Sequence, residues 1–278
     1  MKIQYRHGGI TVFESALFQT TSTVVITEEY VLVVDPNWLP EEVMTIATYV
    51  ENVARGKARY LLFTHSDYDH IIGYGAFPGW TTIASQRFVD NPDREAQIQQ
   101  ARDWDDEYYV KRSYALTYPE IQLPVVGDDV VLPLPHAAAI RCYQAPGHNY
   151  DGLVTYLPHS GILIVGDYLS EVEFPYVYHS FANYRRVLAR LSQIMDEDSV
   201  ELLVSGHGKC TTDPVEMRQR VVDAYAYLDG IEAHVRKGAE FDEAALFARY
   251  GFPGIMGKFH AKNLSLLQKE LASRSNNS

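Results

Sequence analysis

The chain has 278 residues, 46% hydrophobic and 22% charged, which is the composition of an ordinary globular protein and enough for one large domain or two small ones. A net charge of −12, from 24 Lys and Arg against 36 Asp and Glu, argues against nucleic acid as the main partner, because phosphate contacts need cations. Two cysteines exclude a disulfide scaffold, no stretch approaches the roughly 18 apolar residues of a membrane span, and the first residues carry no signal-peptide core, so a cytoplasmic protein with no membrane partner is expected.

Residues 16–34 predict a strand pair, Ala16 to Ile26 and Tyr30 to Val34, turning at Glu28-Glu29 and ending at Asp35. Pro40-Glu41-Glu42 opens a helix whose apolar positions Val43, Ile46, Ala47 and Val50 recur every three or four residues. The run Arg59 to Phe63 then reads as a buried strand, so strand, helix and strand give α/β architecture. It delivers Thr64-His65-Ser66-Asp67-Tyr68-Asp69-His70, four candidate metal ligands in six residues at a strand end. Taken alone, the stretch also reads as a polar turn.

After a short strand at Thr81–Ser85, the polar segment 86–128 predicts helices forming an insertion or lid. Strands follow at 130–132, 139–143, 153–157 and 162–165, the last two joined by a hairpin at 158–161; a helix at 181–195 and a strand at 200–204 come next. Three of these strands run into His148, Asp167 and His207. The strand before His207 echoes the one before His65, a hint of two related halves. Residues 213–273 predict helices broken at Gly238 and around Gly251 to Gly257, with a frayed tail from Ser273, and no linker divides the chain, so 1–278 is expected as one domain.

Strand ends of this kind converge on one sheet edge, so a shared metal site explains them economically. The ordered set His65, Asp67, Asp69, His70, His148, Asp167 and His207 resembles the metallo-β-lactamase superfamily, whose pattern is His-x-His-x-Asp-His followed by His, Asp and His. The resemblance spans roughly residues 10–210. It implies a four-layer αββα sandwich, with one divalent ion held by His65, Asp67 and His148, a second by Asp69, His70 and His207, and Asp167 bridging. It further implies a hydrolase in which a metal-bound hydroxide attacks a small ester, thioester, lactone or phosphoester, with Asp69 orienting the water.

This chain departs from that pattern at Asp67, where most members have His. The extra carboxylate makes the cluster less positive and favours iron or manganese over zinc, as in the similar flavodiiron proteins, which place Glu there. An iron-dependent oxygenase or reductase, a nuclease or phosphodiesterase, and a non-catalytic metal-binding relative are the alternatives. Around the centre, Lys209, His179, Tyr176 and His260 are candidates for contacting a small-molecule substrate. Asn149, Tyr150 and Asp151 are candidates for orienting ligands, and Cys210 for packing. His7, His136, His159 and His234 read as surface or structural. No general acid is identifiable from the sequence, and a homo-oligomer stays open.

Overall fold

The computed structural model describes residues 1–134 and 139–275, so His136 lies outside the described residues. A first sheet runs in spatial order β1 (Lys2–His7), β2 (Ile10–Glu14), β3 (Thr21–Ile26), β4 (Tyr30–Val34), β5 (Ala58–Leu62), β6 (Thr81–Ser85) and β7 (Leu123–Val125). β1 to β4 pair antiparallel, and β4 to β7 pair parallel. The second sheet is ordered β12 (Leu202–Val204), β11 (Ile162–Ile164), β10 (Leu153–Leu157), β9 (Ile140–Gln144) and β8 (Val130–Leu132). Its neighbours are antiparallel except for β11 and β12.

Period-two burial produces the layers. In β4, Tyr30, Leu32 and Val34 enter a core shared with Ile140, Leu153, Leu157, Ile162 and Val204 of the second sheet. Val31 and Val33 face the other way, onto Val43, Ile46 and Val50 of α1 (Pro40–Val53). On the second sheet Val154, Tyr156 and Leu163 turn outward to meet α5 (Phe181–Glu197) and α6 (Pro214–Lys237). Each fully buried Leu or Val contributes about 2 kcal/mol. The result is helix, sheet, sheet, helix, as the ligand pattern implied.

Several boundaries differ from the sequence reading. β3 begins at Thr21, because Phe18 and Gln19 take φ of 51° and turn the chain before the strand can start. β1 and β2 add a hairpin that the sequence reading did not include. Segment 86–128 holds helices, α3 (Gln86–Val89) and α4 (Arg94–Glu107), but ends in β7, which joins the first sheet. A short helix α2 (Tyr68–Ile71) starts inside the ligand loop. Between α7 (Glu243–Tyr250) and α8 (Pro253–Ser275) the break falls at Gly251 and Phe252, and α8 continues through Gly254 and Gly257. α6 stops at Gly238, whose φ of 64° suits glycine and caps the helix. Among the described residues, no helix is long and apolar enough to cross a membrane.

The echo between the two halves has a structural counterpart. β4-α1-β5 and β11-α5-β12 are both parallel strand pairs joined by a helix, and both discharge ligands at their carboxyl ends. β9 runs in the direction of β11, since both are antiparallel to β10, so His148 leaves at the same edge. Cross-sheet bonds close that edge: Leu153 N donates to Thr64 O at 2.7 Å, and Thr21 N to Gly206 O at 2.7 Å.

A candidate metal centre at the sheet edge

Seven side chains converge there in two groups, His65, Asp67, His148 and Asp167, and Asp69, His70 and His207. Within each group the potential ligand atoms lie within 4.8 Å of one another. Asp167 reaches both: Oδ1 is 3.2 Å from His70 Nε2, while Oδ2 is 3.2 Å from His148 Nε2 and 3.3 Å from His207 Nε2. Asp69 Oδ2 is 3.5 Å from the Nε2 atoms of both His70 and His207 and accepts from the Thr20 hydroxyl at 3.3 Å.

Each imidazole is oriented from behind through Nδ1. His70 donates to Asp35 Oδ2 at 2.9 Å, His148 to Tyr176 O at 2.7 Å and His207 to Phe18 O at 2.9 Å. For His65 the partner is the Thr64 hydroxyl at 3.0 Å, which passes its own proton to Asp35 Oδ2 at 2.6 Å. With every Nδ1 proton held from behind, it is the Nε2 atoms that face the cluster, so a cation that displaces their protons meets four Nε2 lone pairs, the tautomer that metal-ligating histidines adopt. Asp67 is steadied by Asn149 Nδ2 at 2.5 Å, and the ligand loop by Asp151 Oδ1, which accepts from Ser66 N at 3.2 Å. Asn149 and Asp151 thus hold ligands in place, while Tyr150 lines the cleft in front.

Among the described residues, His65 Nε2, His70 Nε2 and Asp167 Oδ1 are buried with no hydrogen-bond partner. Unpaired buried acceptors are costly, and cations placed among them would satisfy all three. The donor set therefore fits a pair of metal ions. Electrostatics agree: burial and neighbouring His70 disfavour a charged His65, yet the Asp167 and Asp67 carboxylates outweigh them and push it up to about 10. Burial pulls Asp67 upward, but hydrogen bonds from His148 and His65 hold it well below the usual carboxylate range. The pocket of negative charge is built for cations.

Space for the packing is made by glycine at one decisive point. A Cβ on Gly206 would stand 2.1 Å from Asp167 Oδ1 and 3.0 Å from the His70 ring, so no larger residue fits beside the Asp167 carboxylate without a shift.

A cleft of about 600 Å³ opens in front of the cluster, with Asp67, Asp69, His148, Asp167 and His207 at its floor. Of the four candidate substrate contacts, Tyr176 and His179 line it. Lys209 and His260 do not. Lys209 is turned to the surface, with its backbone N bound to Glu171 Oε2 at 2.6 Å. His260 is buried behind the cleft, 3.1 Å from the Tyr227 hydroxyl and stacked on Phe241. Cys210 packs against the inter-sheet core.

Among the lining residues that the sequence reading did not single out as substrate contacts are Glu173 of the loop after Asp167 and Phe259 and Lys262 of α8, while Trp104 of α4 comes from the predicted lid segment. Burial, reinforced by Asp167 and Asp69 against the pull of His207 and His148, raises the Glu173 carboxyl above its ordinary range. The aromatic run that holds Trp104 lies in the segment 86–128 predicted as an insertion or lid.

Fold and site together define a two-sheet sandwich with a candidate metal-binding edge, and the comparisons agree on the fold. The model of the metallo-beta-lactamase superfamily matches residues 16–207, and the chain belongs to that superfamily. Among solved structures, a metallo-beta-lactamase from Pontibacter korlensis is 15% identical, with 81% of this chain and 98% of that chain covered and a TM-score of 0.57. A metallo-beta-lactamase from Pseudomonas aeruginosa in its mono-zinc form is 16% identical, with 82% and 96% covered and a TM-score of 0.55. A sec-alkyl sulfatase is 12% identical, with 83% of this chain and 42% of that chain covered and a TM-score of 0.64. These likenesses concern the fold. No match to the chain is found among curated protein sequences.

Proposed function

We propose that the protein is a metal-dependent hydrolase with a two-ion centre acting on a small ester, thioester, lactone or phosphoester. One observation carries the reading: two ligand groups share Asp167 and aim unpaired buried acceptor atoms at the floor of an open cleft. His65, Asp67 and His148 would hold one ion, Asp69, His70 and His207 the other, with Asp167 between them. Bound ions would supply the Lewis acidity that hydrolysis needs near neutral pH.

The chain's own residues do the rest. Asp35, Thr64 and the carbonyls of Phe18 and Tyr176 keep each Nδ1 protonated and each Nε2 free. Asp69, fixed by the Thr20 hydroxyl, orients the attacking water. Glu173, which lines the cleft and whose carboxyl is raised by desolvation, is the residue placed to give a proton to the departing oxygen or sulfur; water supplies the hydroxyl to the other fragment and the proton that restores Glu173. Asp67 adds a hard oxygen donor and lowers the net positive charge, so the centre accepts manganese or iron more readily than a centre with His there.

The test is metal analysis of purified protein by mass spectrometry, followed by lactone, thioester, phosphomonoester and phosphodiester substrates on the metal form found. A sulfate ester belongs in the panel because one matched structure is a sulfatase. Metal-dependent turnover of at least one class is expected. A fully metallated protein silent across the panel would overturn the reading, and iron with oxygen consumption would replace it by oxygenase chemistry.

A further inference from the structure

The cleft walls pair aromatic surface with a single positive charge. On one side stand Phe18, Tyr68 and Trp104; on the other, Tyr176, Tyr178 and Phe259. The rings within each wall are locked together: Trp104 lies 6.0 Å from Phe18 and 6.3 Å from Tyr68, and Tyr176 stacks on Phe259 at 4.0 Å and against Tyr178 at 4.2 Å. Such walls present flat apolar faces at little entropic cost, because the rings do not have to be ordered on binding.

Among the described residues, Lys262 is the one Lys or Arg lining the cleft. Its Nζ sits 5.6 Å from the Tyr176 ring and 5.7 Å from the Tyr178 ring, and among the described residues it forms no ion pair with a carboxylate. The position is fixed despite the exposure of the side chain. The adjacent Asn263 is buried, accepts from Val177 N at 2.9 Å and donates to Pro175 O at 2.7 Å, which pins α8 to the loop that carries Tyr176 and Tyr178. The Tyr178 ring in turn lies 5.2 Å from the imidazole of His148. Those two steps bound the distance from the cation to the metal-ligand group, a span that a small molecule bridges.

We propose that the cleft takes an organic anion with a flat apolar body, its ring or chain against the aromatic walls and its negative group at Lys262, so that the bond to be cut falls over the ligand cluster. The inference rests on the hydrolytic reading of this site and names the class of molecule it accepts. A neutral molecule of the same shape keeps the aromatic contacts but leaves the cation unanswered.

The experiment is calorimetric titration of metal-loaded protein with 4-phenylbutyrate and with its neutral amide. Binding of the acid about tenfold tighter than the amide is expected, with the gap narrowing as salt is added. Lys262→Met should erase the preference, Lys262→Arg should keep it, and Trp104→Leu should weaken both ligands alike. A preference for the acid that survives Lys262→Met would overturn the proposal, because the metal centre alone would then be taking the carboxylate; so would equal binding of acid and amide by the unaltered protein. Failure of the hydrolytic reading appears separately, as a silent ester panel in protein whose Lys262-dependent preference is intact. Turnover of neutral esters unaffected by Lys262→Met, with no preference for the acid, sinks this proposal and leaves hydrolysis standing.

Discussion

Asp35 Oδ2 accepts the Nδ1 proton of His70 at 2.9 Å, and the same oxygen accepts the Thr64 hydroxyl at 2.6 Å, so one carboxylate behind the cluster governs an imidazole from each ligand group, His70 directly and His65 through Thr64. Its other oxygen takes Thr64 N at 2.9 Å. Asp35→Asn keeps the shape but replaces one acceptor oxygen with a donor group. The three-way acceptance then fails. Metal affinity is expected to fall by about 10- to 100-fold, the usual cost of losing such a supporting partner, with the fold retained. Competition with a chelator, read alongside circular dichroism, checks it; unchanged affinity would show that Asp35 serves folding alone.

Asp67 sits at the second His of the His-x-His-x-Asp-His pattern that the sequence resembles, held by Asn149 and 3.2 Å from His148 Nε2. Asp67→His removes a negative charge and exchanges a hard oxygen for a borderline nitrogen. From an equimolar mixture of zinc, manganese and iron, the variant should take up a larger zinc share than the unaltered protein, by about tenfold in the zinc-to-manganese ratio. Unaltered protein that emerges with zinc alone, two ions per chain, refutes the selectivity argument.

In protein stripped of metal, His65 is pushed up to about 10 by Asp167 and Asp67 and carries a proton at pH 7. Binding a cation must expel that proton. The sign follows: apparent metal affinity should weaken as pH falls, by about tenfold per unit for each proton released. Calorimetric titrations in buffers of different ionisation enthalpy read the proton count directly, and heats independent of buffer would contradict it.

The convergence of the seven His and Asp side chains was legible because they follow apolar strands, and strand ends on one edge are forced together by sheet geometry whatever the loops do. α1 was legible from Pro40, two acids in its first turn and an apolar stripe. β1 was not: its residues are exposed or half-buried, so no hydrophobic pattern marks it, and pairing with β2 defines it. β7 is three residues long with Pro124 at its centre, which a strand tolerates at a sheet edge. The substrate wall depended on helix phase. His260 and Lys262 are two residues apart on α8, which turns them roughly 200° from one another, so His260 enters the helical core while Lys262 faces the cleft. Likewise Lys209 is close to His207 in sequence, but Gly208, at φ 83°, swings the backbone aside onto Glu171.

Gly206→Ala tests the bridging role of Asp167. The added methyl would lie 2.1 Å from Asp167 Oδ1, and Asp167 must move for the side chain to fit. The variant should lose tight binding of both ions together, because each group depends on that carboxylate, and turnover should fall with it. Mass spectrometry of the variant under native conditions should show the two-ion species depleted. A variant that still binds two ions as tightly as the unaltered protein would mean that Asp167 is not shared.

The acid role proposed for Glu173 predicts an alkaline limb in the pH profile. Its burial, with Asp167 and Asp69 adding repulsion, raises its carboxyl above the usual glutamate range, so the proton it donates to a leaving group persists to higher pH than an exposed glutamate would allow. The sign is fixed by the acid role. Activity is present while Glu173 is protonated and declines as pH rises through its raised pKa. Glu173→Gln stays neutral at every pH but has no proton to give, so kcat for a substrate with a poor leaving group should drop by about 10²-fold and the alkaline decline should vanish. Esters with an activated aryl leaving group, which departs without protonation, should lose only a small factor. A pH profile that keeps its alkaline limb in Glu173→Gln would assign that limb to another group and remove Glu173 from the reaction.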